Sequence, residues 1–181
     1  MKKLPRAAVL LSLVEAMRER GSWCGETNVQ KAVYFLQELA SVPLGFDFVL
    51  YRYGPYSFEL TDELTALLAD SILRLEFRDP RYGPSYSPGE LRNLIANSFP
   101  KTVSRFRNRI DFVAERLGPR GVADLERLST ALFVHRKTPQ ASAKDKAARV
   151  TTIKPHITQR DAEEAVKEVD KMVALVSDLL E

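Results

Sequence analysis

One cysteine and two histidines in 181 residues leave little of the side-chain chemistry on which most enzymes rely. With Cys24 alone, neither an intramolecular disulfide nor a cysteine-based zinc cage can form. His135 and His156, the near-neutral bases, sit in the separate segments "FVHRKT" and "KPHIT". The chain has no GxxxxGK phosphate loop, no GxGxxG opening a helix, no HExxH and no GxSxG. No apolar run approaches the roughly 20 residues needed to span a bilayer. Internal repeats and low-complexity tracts are absent too. No catalytic residue, metal ligand or cofactor is therefore expected, and the chain reads as a non-enzyme that does not enter membranes.

What is present suits a globular fold: 45% of residues are apolar and 28% charged. The length fits a single domain over 1–181, organised as a half over 1–87 and a helical half over 88–181. The opening "MKKLPRAAVLLSLVEAMRER" has the charge and apolarity of a signal peptide. Its helical spacing, the interrupting Glu15 and the lack of a small-residue cleavage site make it the first helix of a cytoplasmic protein instead.

The punctuation predicts a first helix over about Pro5–Arg20, ending at Gly21. Thr27-x-x-Gln30 reads as a capping box for a second helix running to Pro43. "GFDFVLYRYG" alternates as a strand, which Gly54-Pro55 ends. Ser57 is placed to cap a third helix whose stripe is Leu60, Leu64, Leu67 and Leu68, with Glu59, Asp62 and Glu63 in its first turns. Ile72–Phe77 and a return strand near Ser85–Tyr86 predict a hairpin, or wing. Ser87-x-x-Glu90 is a further capping box. Helices follow over Glu90–Asn97, Lys101–Leu117, Val122–Val134, Ala141–Ala148 and Thr158–Leu180. The expected fold is mainly α with a small antiparallel β-sheet: a winged-helix-like first half, its three strands made of the lone strand and the wing, then a helical second half.

The last helix keeps Ala162, Ala165, Val169, Met172, Val176 and Leu179 at heptad spacing, widened by Val166, Val173 and Leu180. Docking on its own domain is the favoured expectation, and a homodimer seam over 158–180 is the alternative. Net charge is +3, but residues 159–181 carry −4, so the rest carries +7. "KTVSRFRNR" over 101–109 has four cations and no acid, and His135–Arg149 is a second basic segment. If nucleic acid is a partner, Lys101, Arg105, Arg107, Arg109, Arg136, Lys137 and Arg149 are the candidates for phosphate contact. The helix in the recognition position, with Glu59, Asp62, Glu63 and Asp70 and no cation, would meet a phosphate backbone repulsively.

Two motifs, "NVQKAVYFLQEL" and "YRYGPYSFELTDEL", carry a family resemblance. The chain resembles the YwgA-like proteins and, more distantly, the SocA/Panacea antitoxin-type domain. The matching positions are Gln30, Lys31, Tyr34, Phe35 and Gln37, then Tyr53, Gly54, Pro55, Tyr56 and Ser57. The "IKPH" and "ITQRDAEEAV" segments extend the likeness, so that it spans about Asn28 to Lys171. The resemblance implies a non-catalytic protein-binding module, an antitoxin or adaptor of a toxin–antitoxin or defence system. On that basis Lys31, Tyr34, Gln37, Tyr53, Tyr56, Glu59 and Glu63 are the expected partner-binding residues. The acidic third helix suits a basic partner, such as a toxin of the nuclease type.

Overall fold

The structure is a computed structural model that describes residues 1–180, with side chains described as far as Ser177. It is mainly α-helical, with two small antiparallel hairpins. In chain order the elements are α1 (Lys3–Glu19), α2 (Glu26–Glu38), β1 (Val49–Tyr51), β2 (Gly54–Tyr56) and α3 (Phe58–Ala69). Then come β3 (Leu73–Glu76), β4 (Ser85–Pro88), α4 (Arg92–Ser98), α5 (Pro100–Leu117), α6 (Val122–Lys137), α7 (Ala143–Ile153) and α8 (Gln159–Leu180).

Helix α1 is buried almost all round, from Ala7 to Met17, because the run "AAVLLSLVEAM" leaves it no polar face. Helix α2 is equally enclosed from Asn28 to Leu36, although that stretch includes Asn28, Gln30 and Lys31. These two helices form the centre against which α5 and α6 pack. The core runs without interruption through both halves of the chain, from Ala7 to Val176.

Two strand expectations are corrected. The lone strand does not join the wing in a three-stranded sheet: β1 pairs with β2 alone, in the register Val49 with Tyr56, Leu50 with Pro55 and Tyr51 with Gly54. Gly54-Pro55 is thus the first part of a return strand and not a terminator. Pro55 is tolerated there because it occupies an edge strand, where a missing donor costs no ladder bond. The residues before β1 stay out of the sheet because Gln37 Oε1 accepts from the backbone N–H groups of both Gly45 and Phe46, at 2.9 Å each.

Among the caps, Ser57 behaves as expected, its Oγ accepting from Leu60 N–H at 3.3 Å. Thr27 does not cap α2: Gly25 holds that position, and Asn28 Oδ1 accepts from its N–H at 3.2 Å. Ser87 lies in β4 and accepts from Arg74 Nε at 3.2 Å, so the expected box at Ser87–Glu90 does not form and α4 starts at Arg92. The wing is anchored to α1 by Arg18, which donates to Tyr86 O at 3.0 Å and to Glu76 Oε2 at 2.8 Å.

The stripe of α8 is used within the chain. Ala162, Ala165, Val166, Val169, Met172 and Val176 are buried where α8 lies across α6 and α7, so these positions are not a free dimer seam. Leu179 and Leu180, expected in the same stripe, lie outside the described side chains. Met172→Ala is expected to lower stability by about 2–5 kcal/mol, the usual cost of emptying a buried Met or Leu position. Urea unfolding should give the same loss at low and high protein concentration, whereas a seam would make it concentration-dependent.

Candidate functional site

The β1–β2 hairpin is short, and little of its stability comes from its own ladder. It is held from beneath by polar side chains of three other elements. Lys31 Nζ, from α2, donates to Pro55 O at 2.7 Å. Lys154 Nζ, just past α7, donates to Tyr51 O at 3.0 Å and also to Arg52 O. The same ammonium lies 3.1 Å from Glu126 Oε1 of α6, and the other Glu126 oxygen lies 3.4 Å from His156 Nε2. Two buried ammonium groups and one buried carboxylate thus sit under a hairpin that turns through Arg52-Tyr53.

Gly54 is required twice over. Its φ of +86° is in the left-handed region, and a Cβ there would lie 2.9 Å from Ser129 Oγ and 3.2 Å from Thr130 Oγ1. The absent side chain lets the strand settle directly on α6.

Downstream of the hairpin, Gln30 of α2 reads the backbone of Ser57 as a strand would. Its Oε1 accepts from Ser57 N–H at 3.0 Å, and its Nε2 donates to Ser57 O at 2.8 Å. Tyr56 packs beside this clamp, its hydroxyl 2.8 Å from Glu26 Oε1 and 2.6 Å from Thr61 Oγ1. Gln37, in the last turn of α2, completes the series by donating to Phe46 O at 2.8 Å.

Of the expected partner-binding residues, Lys31 and Tyr34 are therefore corrected: they are 1% and 2% exposed and cannot form a surface. Lys31 is a clamp. The Tyr34 ring packs edge-on against Phe48, with centroids 5.0 Å apart, and burial raises the pKa of its phenol. Glu63 is also buried and is paired with Arg6 at 2.8 Å. Gln37 is half-buried and committed to the 45–46 backbone. Tyr53 and Glu59 are exposed and Tyr56 is half-buried, so these three can take part in a surface.

The hairpin's outward side carries aromatics that single-residue reasoning missed. Tyr51 and Phe58 are 48% and 58% exposed, yet they pack on each other and on Tyr56. Ring centroids are 5.7 Å apart for Tyr51–Tyr56, 5.9 Å for Tyr51–Phe58 and 5.1 Å for Tyr56–Phe58. Val49, Leu50 and Tyr53 extend this patch. Exposed Glu26, Asp47, Glu59 and Asp62 surround it. The available signal was Phe58 at the first position of α3, where the stripe of Leu60, Leu64 and Leu67 leaves it facing outward.

The basic candidates divide. Arg109 donates to Ala40 O at 3.3 Å and Ser41 O at 3.2 Å, while Arg136 pairs with Glu38 Oε2 at 2.6 Å and donates to Glu38 O. Arg136 thus caps the C-terminal end of α2, where carbonyls lack intrahelical partners, and Arg109 holds the chain just past it. Lys101, Arg105, Arg107, Lys137 and Arg149 remain exposed. Among the described residues, no group of three or more His, Cys, Asp or Glu side chains is placed to hold a metal ion. None of the helices is long and apolar enough to cross a membrane, again among the described residues.

No protein-family model matches the chain, and no curated protein matches it significantly.

Burial pushes the Lys31 ammonium down from 10.5 to about 8, Lys154 adding to the shift and Glu126 opposing it. A lysine whose native pKa lies below its unfolded value leaves the unfolded chain holding the extra proton between those values. Stability from this group therefore rises with pH across that window. Cys24, Tyr34 and Tyr86 act oppositely, because burial raises each of them. The difference in unfolding free energy between wild type and Lys31→Met cancels those terms. It should move in favour of wild type by about 2 kcal/mol from pH 8 to pH 10. A flat difference would place Lys31 in water. Gly54→Ala should cost about 2 kcal/mol or more, and adding Ser129→Ala should recover the steric part but not the left-handed strain.

Proposed function

We propose that the chain is a non-catalytic protein-binding module of the cytoplasm, an antitoxin or adaptor of a toxin–antitoxin or defence system, whose partner is a basic protein. The contact surface is the β1–β2 hairpin with the start of α3, centred on Tyr51, Tyr53, Tyr56 and Phe58 and edged by Glu26, Glu59 and Asp62. One observation carries this reading: three aromatic rings in mutual contact, two on a hairpin fixed by Lys31 and Lys154 and one at the start of α3, two of the three about half exposed. Rings of this kind, held before binding, lose little conformational freedom on association and supply most of the energy at protein interfaces. The carboxylates around them attract cations, and rings beside acids suit arginine and lysine side chains through cation–π contact. The YwgA-like and Panacea-like resemblance of the two motifs points the same way.

A second reading, nucleic-acid binding, is favoured by Lys101, Arg105 and Arg107, exposed along α5, whose described ion pairs are instead those of Asp111 and Glu115 with Arg20. The two readings separate in a pull-down from nuclease-treated host lysate. A basic protein should be retained by the wild type. Tyr51→Ser and Phe58→Ser, both at exposed positions, should each weaken retention about tenfold or more. Retention unchanged by both would overturn the proposal. Recovery of nucleic acid alone from untreated lysate, lost on changing Lys101, Arg105 and Arg107 to Ala, would put the second reading in its place.

A further inference from the structure

The last turn of α6 and the C-terminal part of α7 border an open hollow of about 270 Å³. Phe133, Val134 and Ile153 give it an apolar lining, and Lys137 and Arg149 stand exposed at its edge. No carboxylate lines it. Its two threonines are already committed: Thr138 Oγ1 donates to Val134 O and Thr152 Oγ1 to Ala148 O, both at 2.9 Å. Neither Lys137 nor Arg149 has an ion-pair partner among the described residues, although Lys137 lies over the Phe133 ring at 5.8 Å. Two cations without an ion-pair partner among the described residues therefore flank a patch of apolar surface.

We propose that this hollow binds a small organic carboxylate with an apolar body. The aryl or alkyl part lies on Phe133, Val134 and Ile153, and the carboxylate is received by Lys137 and Arg149. Size sets the class. The volume equals about nine water molecules, enough for an aryl-alkyl group and far too small for a nucleotide cofactor. Charge sets the head group. Helices α6 and α7 both end here, and their C-termini contribute roughly half a negative charge each. The two full positive charges outweigh them, leaving the hollow selective for a monoanion. Guanidinium adds a planar fork that matches carboxylate geometry, which the lysine alone would not supply. A nucleic-acid phosphate track fits less well, because the lining between the cations is apolar and concave.

Titration of the ¹⁵N-labelled chain with hydrocinnamate, followed by NMR, tests this directly. The expected result is saturable shifts confined to residues around Phe133, Lys137, Arg149 and Ile153, with a dissociation constant on the order of 1 mM or tighter. Hydrocinnamamide, the uncharged isostere, should bind at least about tenfold more weakly, as should hydrocinnamate to the Lys137→Ala/Arg149→Ala double variant. Both side chains are exposed, so the variant's spectrum should otherwise match the wild type. Equal affinity for acid and amide, undiminished binding to the double variant, or shifts scattered over the whole surface would each overturn the proposal. So would the absence of saturation at about ten times the expected constant.

Discussion

Placing the Lys31 ammonium beneath the Pro55 carbonyl is the constraint around which the first half of the chain is arranged. An isolated ammonium in an apolar interior costs far more than a domain can spare, so the group needs oxygen acceptors and a nearby carboxylate. The chain meets that need with the backbone. Pro55 O accepts a hydrogen bond from Lys31, Tyr51 O and Arg52 O accept from Lys154, and Glu126 supplies the buried negative charge beside them. Because these carbonyls point inward, the hairpin is fixed with its opposite side outward. Tyr51 is exposed there, with Phe58 of α3 packed on it. The buried cations and the exposed aromatics are two consequences of one arrangement, since any slip of the strand would unseat both lysines at once. Even so, the ammonium is only partly compensated, which is why burial holds Lys31 near 8.

Helix α2 does the work of a missing β-sheet. A stretch of chain buried outside regular structure has N–H and C=O groups to satisfy, and these must find partners somewhere. Along α2, Gln37 satisfies Gly45 and Phe46, Lys31 satisfies Pro55, and Gln30 satisfies both backbone groups of Ser57. Two amides and one ammonium, pointing to successive segments of the following chain, replace the ladder bonds that a third strand would provide. At the far end of the helix, Arg136 binds the carbonyl of Glu38, and Arg109 binds those of Ala40 and Ser41 just past it. The helix is thus tied along its length to the loop, hairpin, α5 and α6, with its polar side chains buried instead of solvated.

The helices were legible because their apolar positions recur at 3–4 residue spacing, and the Ser57 cap because its chemistry is local. Strand pairing was not. Whether β1 meets β2 or the wing depends on Gln37 withdrawing Gly45 and Phe46 from the ladder and on Gly54 touching α6, neither of which is local in sequence. The polar motif on α2 misled for a related reason. Lysine and glutamine in a helix ordinarily mean solvent, and the acceptors that reverse this for Lys31 and Gln30 lie 24 and 27 residues further on. Lys154 and Glu126 complete the cluster from the second half of the chain. Of the positions expected to form a surface, Tyr53 and Glu59 are exposed and Tyr56 is half-buried, whereas Lys31, Tyr34 and Glu63 are buried.

The uneven charge of the sequence has an intramolecular resolution. The acidic last helix meets basic partners on the elements beneath it: Glu168 pairs with Arg120, Asp161 with Arg127, and Asp170 with both His135 and Lys146. Three carboxylates of α8, Asp161, Glu168 and Asp170, therefore act as counter-ions for the body. Among the exposed charges with no ion pair between described residues are carboxylates Glu59 and Asp62 beside the aromatic hairpin, cations Lys101, Arg105 and Arg107 on α5, and Lys137 and Arg149 around the hollow on α6 and α7. Specificity on such a surface is decided patch by patch, by what accompanies the charge: rings at the hairpin, an apolar hollow at α6–α7 and open helix surface on α5.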